Sequence, residues 1–516
     1  MKPPVEPGAT IAPGTPDHSA TLTRGAATLF ASGVFSQFLG VLTLVVTARL
    51  LTPTDFGIIA YFIIAAAFLE IVQRAVSMIL IRQPEITDDH LNTVFTMQVL
   101  LGVFSALLIW ASAPLMTFFG LAELTSLIPA LCFIAIASSI KSTRFPLLER
   151  DLRFGFIAGE ETTSRIAYTL MAISLTWIWR DYWAIVVASV ITQVIRVIWS
   201  FSVAPMRPRL TLRCWHDCID VSSWSLGAQI TQFLINNMPQ IVIGSMLGLA
   251  DAGIFRVGYR LVVLFTSQII GPLERVVYPS LANASRTQGS SQEAFERANA
   301  ILLGIIVPAS VGMALVANHL IVVVAGYQWL AAAQVIWVLA PLKAIETLQA
   351  NVRSASYVEG STKRLFLRNT ILLIATTALT VLGSNYGFTG AILGSGAASL
   401  FAIGLALIMA KDFGTGGFLA PILMAWRTFA STFAMLLAVL FVSSAYGSGD
   451  AVGWAYETAE DLPLLRIRFS VKVLVGVFVY VGTHLLLWRL AGKPKGFESL
   501  ALELAAKLKR KLSKAA

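Results

Sequence analysis

The sequence predicts an all-α polytopic membrane protein of about fourteen transmembrane helices, with two six-helix bundles related as a parallel repeat and two extra C-terminal helices. Three observations carry this. The 516 residues are 56% hydrophobic and only 13% charged, with a mean hydropathy of +0.75, whereas a soluble domain is about 45–50% apolar and about 25% charged. The apolar residues fall in runs of about twenty, the length that spans a bilayer as a helix. The scarce charges are sorted by side, and the chain repeats itself. This composition excludes a soluble domain, disorder and collagen, and three cysteines make no disulfide scaffold. A barrel would alternate over segments of about ten residues.

In chain order, residues 1–23 are rich in Pro, Gly and Thr and hold no apolar core before a cleavage pattern. They read as a disordered tail, not a signal peptide, and the first span acts as an uncleaved anchor. Spans are expected near 26–48, 57–80, 91–113, 123–142, 157–178, 182–203, 222–246, 253–278, 298–318, 331–352, 366–384, 388–410, 422–445 and 467–490. The second, fourth, eighth and tenth carry charge. With the N-terminus inside, 26 of the 38 basic residues fall on the inner side or near inner span ends, 4 on the outer side or at an outer span end, and 8 elsewhere within spans. By the positive-inside rule both termini are cytoplasmic. Most outer loops are under a dozen residues, and the longest, 446–466, is about twenty. No soluble domain fits on either side.

The repeat has a period near 200. Leu51-Thr52-Pro53-Thr54-Asp55-Phe56-Gly57-Ile58 returns as Leu247-Gly248-Leu249-Ala250-Asp251-Ala252-Gly253-Ile254, and Ser36-Gln37-Phe38-Leu39 as Thr231-Gln232-Phe233-Leu234. Phe119-Gly120 corresponds to Ala325-Gly326, and the basic loops 141–154 and 353–368 correspond, each with a glutamate, Glu149 and Glu359. Six spans separate the copies, so the repeat is parallel and its pseudo-two-fold axis lies along the membrane normal. The organisation that follows is a cytoplasmic tail, 1–23; an N-terminal bundle, 24–204; a cytoplasmic linker, 205–221; a C-terminal bundle, 222–410; spans 13 and 14, within 411–490; and a basic tail, 491–516.

The run Leu51 to Gly57, the stretch Ile79-Leu80-Ile81-Arg82-Gln83-Pro84-Glu85-Ile86-Thr87, Leu148-Glu149-Arg150-Asp151-Leu152-Arg153-Phe154 and Gly271 to Leu281 resemble the Wzx-type oligosaccharide flippases of the multidrug/oligosaccharidyl-lipid/polysaccharide superfamily. The resemblance covers roughly residues 24–490. It implies two six-helix lobes around a central cavity, two further helices, and movement of an undecaprenyl-diphosphate-linked glycan from the inner to the outer leaflet of a bacterial inner membrane by alternating access. It implies partners among glycosyltransferases and a polysaccharide polymerase, no nucleic acid and no cofactor. Both long tails stand outside the pattern.

Charge inside the membrane costs about 2.5–3.5 kcal/mol per residue on insertion scales, so each such residue faces protein or water. Glu70/Arg74 and Glu161/Arg165 are spaced i,i+4 and Lys343/Glu346 i,i+3, so each pair can neutralise itself as a structural ion pair. Glu160 lies in the same span as Glu161, without a basic partner assigned to it. Arg256 and Arg260 are also i,i+4 and repel, and the nearest acid along the helix, Asp251, sits at the outer loop. Two readings stand for them: the diphosphate of a substrate, whose oxygens match the guanidinium fork, or an acid on another helix with Arg256 snorkelling outward. Arg196 has only Thr192 and Gln193 nearby and reads either as a snorkelling residue or as a substrate contact. Arg275 and Lys472 lie near span ends and read as interfacial. The candidate substrate-binding set is Arg260, Arg256, Arg74, Arg165, Arg196 and Lys343; the structural acids are Glu70, Glu161 and Glu346.

Trp177, Trp179, Tyr182 and Trp183, and separately Tyr327 and Trp329, read as interface-belt anchors. Cys214-Trp215-His216-Asp217-Cys218 lacks a second Cys/His pair, so no metal site is expected. Gly394-Ser395-Gly396 reads as small-residue helix packing. Residues 497–514 form a basic amphipathic pattern suited to the anionic inner leaflet, or else a solvated helical tail. No nucleophile–base pair or Walker motif is present, so no enzyme is expected. The alternatives are a multidrug or small-solute antiporter of the same architecture, disfavoured because spans 1 and 7 hold no Asp or Glu, a membrane glycosyltransferase or polymerase, disfavoured by the short outer loops, and a flippase of the peptidoglycan precursor, against which the motifs above favour the polysaccharide branch.

Overall fold

The structure, a computed structural model, describes residues 16–82, 85–118, 120–215, 223–264, 291–347, 362–410, 425–445 and 462–492. Fourteen principal helices follow the expected order. The first bundle comprises α1 (Pro16–Leu50), α2 (Pro53–Arg82), α3 (Asp88–Ala111), α4 (Ile128–Ser139), α5 (Phe154–Trp179) and α6 (Trp183–Val203). The second comprises α7 (Ser223–Met246), α8 (249–264), α9 (Ser291–Leu315), α10 (Ala332–Glu346), α11 (Thr362–Ser384) and α12 (Gly387–Ala410). The last two are α13 (Trp426–Ala445) and α14 (Leu462–Leu490). No strand occurs among the described residues. Of the described helices, nine are long and apolar enough to cross a membrane, or ten if one bent pair is a single span. Of the others, α8 and α10 are described over fewer than eighteen residues, α5 carries Glu160, Glu161 and Arg165, and α7 is uncharged but made polar by Gln229, Gln232, Asn236, Asn237 and Gln240.

Side chains are distributed as a lipid solvent demands. Leu107, Trp110, Ile374, Phe441 and Phe478 point outward, and hydroxyl residues such as Ser32, Thr43, Thr169, Thr380 and Ser395 are buried between helices. Small and hydroxyl residues let backbones approach, and their O–H groups bond the preceding turn or the neighbouring helix. Thus α1 lies on α5 through Ser32 Oγ to Thr162 Oγ1 (2.9 Å) and Thr43 Oγ1 to Thr169 Oγ1 (3.2 Å). The equivalent contact in the second bundle is α7 on α11, where Asn369 Nδ2 donates to the Ala228 carbonyl (3.0 Å). Gly394 backs onto the α11 chain at Leu379, so the Gly-Ser-Gly stretch is a packing face.

Three expectations need correction. The ninth span is not one rod: it breaks at Val316, where the chain leaves helical geometry, and a short helix, Ala317–Val324, departs at 77°. That helix delivers the turn Gly326–Trp329. Trp329 is therefore not a belt residue. It is fully buried, stacked edge-on against Phe56 at 4.8 Å, and its Nε1 donates to the Ala48 carbonyl at 2.7 Å. Only the tertiary fold reveals this, because the carbonyls at the end of α1 are orphans that need a donor, and the second bundle supplies it. Lys472 is likewise buried, at 1% exposure, rather than interfacial. Trp177 and Trp179 are exposed at the end of α5, as a belt requires. Helices α13 and α14 pack on one another and on α9, where the Tyr480 hydroxyl donates to the Gly304 carbonyl (2.6 Å). Residues 497–514, His216–Cys218, Glu274, Arg275 and the stretch Gly271–Leu281 lie outside the described residues.

Candidate functional site

The repeated octapeptide builds the place where the bundles meet. Thr52 caps α2: its backbone N–H (2.9 Å) and hydroxyl (2.7 Å) donate to Asp55 Oδ2, and the Asp55 N–H returns to Thr52 Oγ1 (3.3 Å). Pro53 opens the helix, where its missing N–H costs nothing. One turn on, Gly57 lies against the backbone of Leu249, and Gly253 lies against the backbone of Pro53. Pro53 and Gly57 correspond to Leu249 and Gly253 in the repeat, so the contact is reciprocal, as a two-fold axis requires. A side chain on either glycine would overlap main chain. We call this end the outer end, after the charge bias. It is latched further by Tyr61 Oη to the Ile241 carbonyl (2.7 Å), Arg49 Nη2 to the Val323 carbonyl (2.7 Å) and Gln328 Nε2 to the Ala48 carbonyl (2.8 Å).

Below the latch, three arginines from both bundles converge. Arg165 on α5 donates from Nε to the Ser36 carbonyl of α1 (3.0 Å), which aims its guanidinium across Gly40. A methyl group on Gly40 would sit 2.8 Å from Arg165 Nη2 and 3.5 Å from Arg260 Nη2, so both guanidinium groups flank one point over α1. Arg256, one turn before Arg260 on α8, reaches Gln240 Oε1 at 3.5 Å. The Tyr168 ring lies 5.9 Å from the Arg165 guanidinium carbon. Among the described residues none of the three has a carboxylate within 4.0 Å. Guanidinium groups without a carboxylate in contact have N–H donors to spare, and each has the fork geometry that matches two neighbouring oxygens of an anion.

The other candidates are placed elsewhere. Glu70 does not pair with Arg74; its Oε1 takes Arg196 Nη1 at 2.8 Å, and Glu160 lies 3.8 Å from Arg196 Nε and 4.0 Å from Lys141 Nζ. Arg196 is therefore neither snorkelling nor free, and Arg74 is exposed, with no carboxylate within 4.0 Å among the described residues. Glu161 is exposed and Arg165 is held by a carbonyl instead, so that i,i+4 pair does not form. Lys343 and Glu346 do pair, at 2.7 Å, in a small chamber lined by Gln232, Tyr259, Thr376 and Ser399. Spacing along one helix could not reveal the Glu70–Arg196–Glu160–Lys141 network, since it joins α2, α5, α6 and the loop after α4. Glu160 and Lys141 are its overlooked members. A cavity of about 290 Å³ runs from this network past Phe62, Ser164 and Gln193 to Arg165 and Tyr168.

The network has a measurable consequence. Its side chains are about one-third exposed, so the pair lies between a surface and a buried bridge in strength. A double-mutant cycle of Glu70→Gln and Arg196→Gln, read by thermal unfolding in detergent, should show a coupling of about 1 kcal/mol, and Glu70→Gln with Arg74→Gln should show none.

Two like-oriented helical bundles latched at one end, with a cationic centre between them, define a polytopic membrane protein of transporter architecture. The description "Polysaccharide biosynthesis protein" belongs to the family model that matches residues 46–334, and the chain belongs to that family. It is 23% identical to the succinoglycan biosynthesis transport protein ExoT of Rhizobium meliloti over 375 residues, 71% of this chain and 75% of that protein. It is 20% identical to the lipopolysaccharide biosynthesis protein WzxC of Escherichia coli over 306 residues, 56% of this chain and 60% of that one. Its fold resembles the lipid II flippase MurJ in an inward closed conformation, with a TM-score of 0.68 and 14% identity over 89% of this chain and 99% of that one. Its fold also resembles a multidrug resistance MATE family transporter described as of the MOP superfamily, in an inward-facing conformation, with a TM-score of 0.52 and 16% identity over 76% of this chain and 94% of that one. The expected membership of the polysaccharide-transporter group holds.

Proposed function

We propose that this protein is a flippase that carries undecaprenyl-diphosphate-linked oligosaccharide repeat units across the bacterial inner membrane for cell-surface, exopolysaccharide or lipopolysaccharide synthesis. The observation that carries the reading is the cluster Arg165, Arg256 and Arg260, cationic, unpaired with acid and shared between the two lobes. A diphosphate drawn there is held by both lobes at once, so rocking of residues 24–204 against 222–410 moves the headgroup while the polyprenyl chain stays in lipid. Arg74, Arg196 and Lys343 stand outside this cluster, and Arg196 and Lys343 are held by acids. Both termini are cytoplasmic in this reading, which rests on the charge bias. The named relatives, a succinoglycan transport protein and a lipopolysaccharide biosynthesis protein, support the substrate class. No catalytic role is assigned, and glycosyltransferases and the polymerase act before and after the transport step.

Deleting the gene should remove surface polysaccharide and build up polyprenyl-diphosphate-linked oligosaccharide accessible only from the cytoplasmic face of membrane vesicles. The antiporter alternative requires the opposite: unchanged glycan and a rise in sensitivity to exported drugs.

A further inference from the structure

The segment that joins α6 to α7 does not hang free. Residues 204–214 run extended across the end of the first bundle, and α3 holds their backbone with side chains. The N–H of Arg209 donates to Asn92 Oδ1 (3.0 Å), that of Thr211 to Thr96 Oγ1 (2.9 Å) and that of Cys214 to Thr93 Oγ1 (3.3 Å). Two of the four nearby arginines are already neutralised. Arg144 takes Asp88 at 2.9 Å, and Arg213 faces Asp89 at 3.9 Å. Arg207 and Arg209 are exposed and have no carboxylate within 4.0 Å among the described residues. Beside them a groove of about 900 Å³ opens, lined by Arg144, Arg207, Arg209, Arg213 and Leu210, with Asp88 and Asp89 taken up by Arg144 and Arg213. Leu210 is 73% exposed, Leu212 46% and Trp215 45%.

Two features together identify the occupant. Two guanidinium groups with no carboxylate in contact call for an anion, and the exposed side chains of Leu210 in the groove and of Leu212 and Trp215 further along the strap call for hydrocarbon. Water satisfies only the first. The strap lies at the ends of α3, α4 and α6 opposite the glycine crossing, level with the basic loops, which on the charge-bias orientation is the inner leaflet surface. We propose that the interlobe strap is a binding site for an anionic phospholipid of the inner leaflet, with its phosphodiester on Arg207 and Arg209 and its acyl chains along Leu210, Leu212 and Trp215. Basic residues at such a surface attract anionic headgroups, and Trp and Leu seat at the headgroup–acyl boundary. The lipid thereby pins the only covalent link between the bundles to the first bundle. This site is separate from the arginine cluster and does not depend on what that cluster carries.

The test uses the full-length chain in detergent, titrated with phosphatidylglycerol, phosphatidylcholine or inorganic phosphate, with bound lipid counted by native mass spectrometry. The expected result is that Arg207→Ala/Arg209→Ala weakens phosphatidylglycerol retention about tenfold against the wild-type chain. Arg207→Lys/Arg209→Lys should keep most of it, and Leu210→Ser/Leu212→Ser should weaken it without altering the effect of phosphate. Exposed positions are chosen so that each variant folds, and lipid bound elsewhere is common to all four proteins. Equal retention by the alanine variant and the wild type overturns the proposal, as does equal retention of phosphatidylcholine. Protection by inorganic phosphate equal to that by phosphatidylglycerol also overturns it, since the groove would then be a plain anion site.

Discussion

Export of the lipid-linked glycan is expected to be lost when Arg165 and Arg260 are both replaced by alanine. Each guanidinium is worth about 1.5–3 kcal/mol as a charged hydrogen-bond donor, and about 1.4 kcal/mol is tenfold. Each single variant should therefore reduce export about 10- to 100-fold, and the pair should leave none measurable. Because the residues lie on different lobes, α5 and α8, yet flank the same point over Gly40, the two effects should be coupled rather than additive. Removing an unpaired charge from the membrane also relieves an insertion cost, so the purified variants should be no less thermostable than the wild-type chain. That combination, stable protein without export, separates a binding role from a structural one. Arg74→Ala should export normally, since Arg74 is not part of the cluster. A complementation assay that restores surface polysaccharide to a deletion strain reads all of these. Unimpaired export by Arg165→Ala/Arg260→Ala would falsify the cationic-centre mechanism.

The second large effect concerns the outer latch. Gly57→Val or Gly253→Val places a side chain where the other helix's main chain runs, and main chain cannot turn aside as a side-chain end can. Overpacking of this kind costs about 1–3 kcal/mol or more. The cost falls only on the state in which the outer ends touch, so the population shifts about 10- to 100-fold away from it. Spin labels on Glu123→Cys and Asn385→Cys, in outer turns of the two bundles, should report a longer distance in either valine variant, with export reduced in proportion. By the pseudo-two-fold relation the two variants should behave alike. An unchanged distance would show that the latch is held by Tyr61, Arg49 and Trp329 instead.

Much of this was legible in the sequence because the bilayer is a simple solvent. Twenty apolar residues with few charges have one way to satisfy their backbone in lipid, so helices and their order followed from composition. The duplication was legible because the octapeptide serves the same backbone purpose twice. Thr52, Pro53 and Asp55 are local capping devices whose partners lie within four residues. Lys343 and Glu346 were legible for the same reason, being one turn apart.

What sequence could not reach were partners set by packing. Spacing paired Glu70 with Arg74 and Glu161 with Arg165, yet a neighbouring helix offers Arg196 to Glu70 at 2.8 Å, and Arg165 turns to a carbonyl of α1. Trp329 read as a lipid-belt residue because nothing nearby in the chain hints that Ala48, 281 residues away, leaves a carbonyl open. The sequence by itself determined the solvent, the helix order, the parallel repeat and the presence of arginines that no local acid neutralises. Only the tertiary structure decided which arginines share one point, that α2 and α8 cross glycine on backbone, and that the linker lies bound along α3. The reason is physical: hydropathy and capping are satisfied within a turn or a span, whereas charge pairing and close approach depend on which helix faces stand opposite each other.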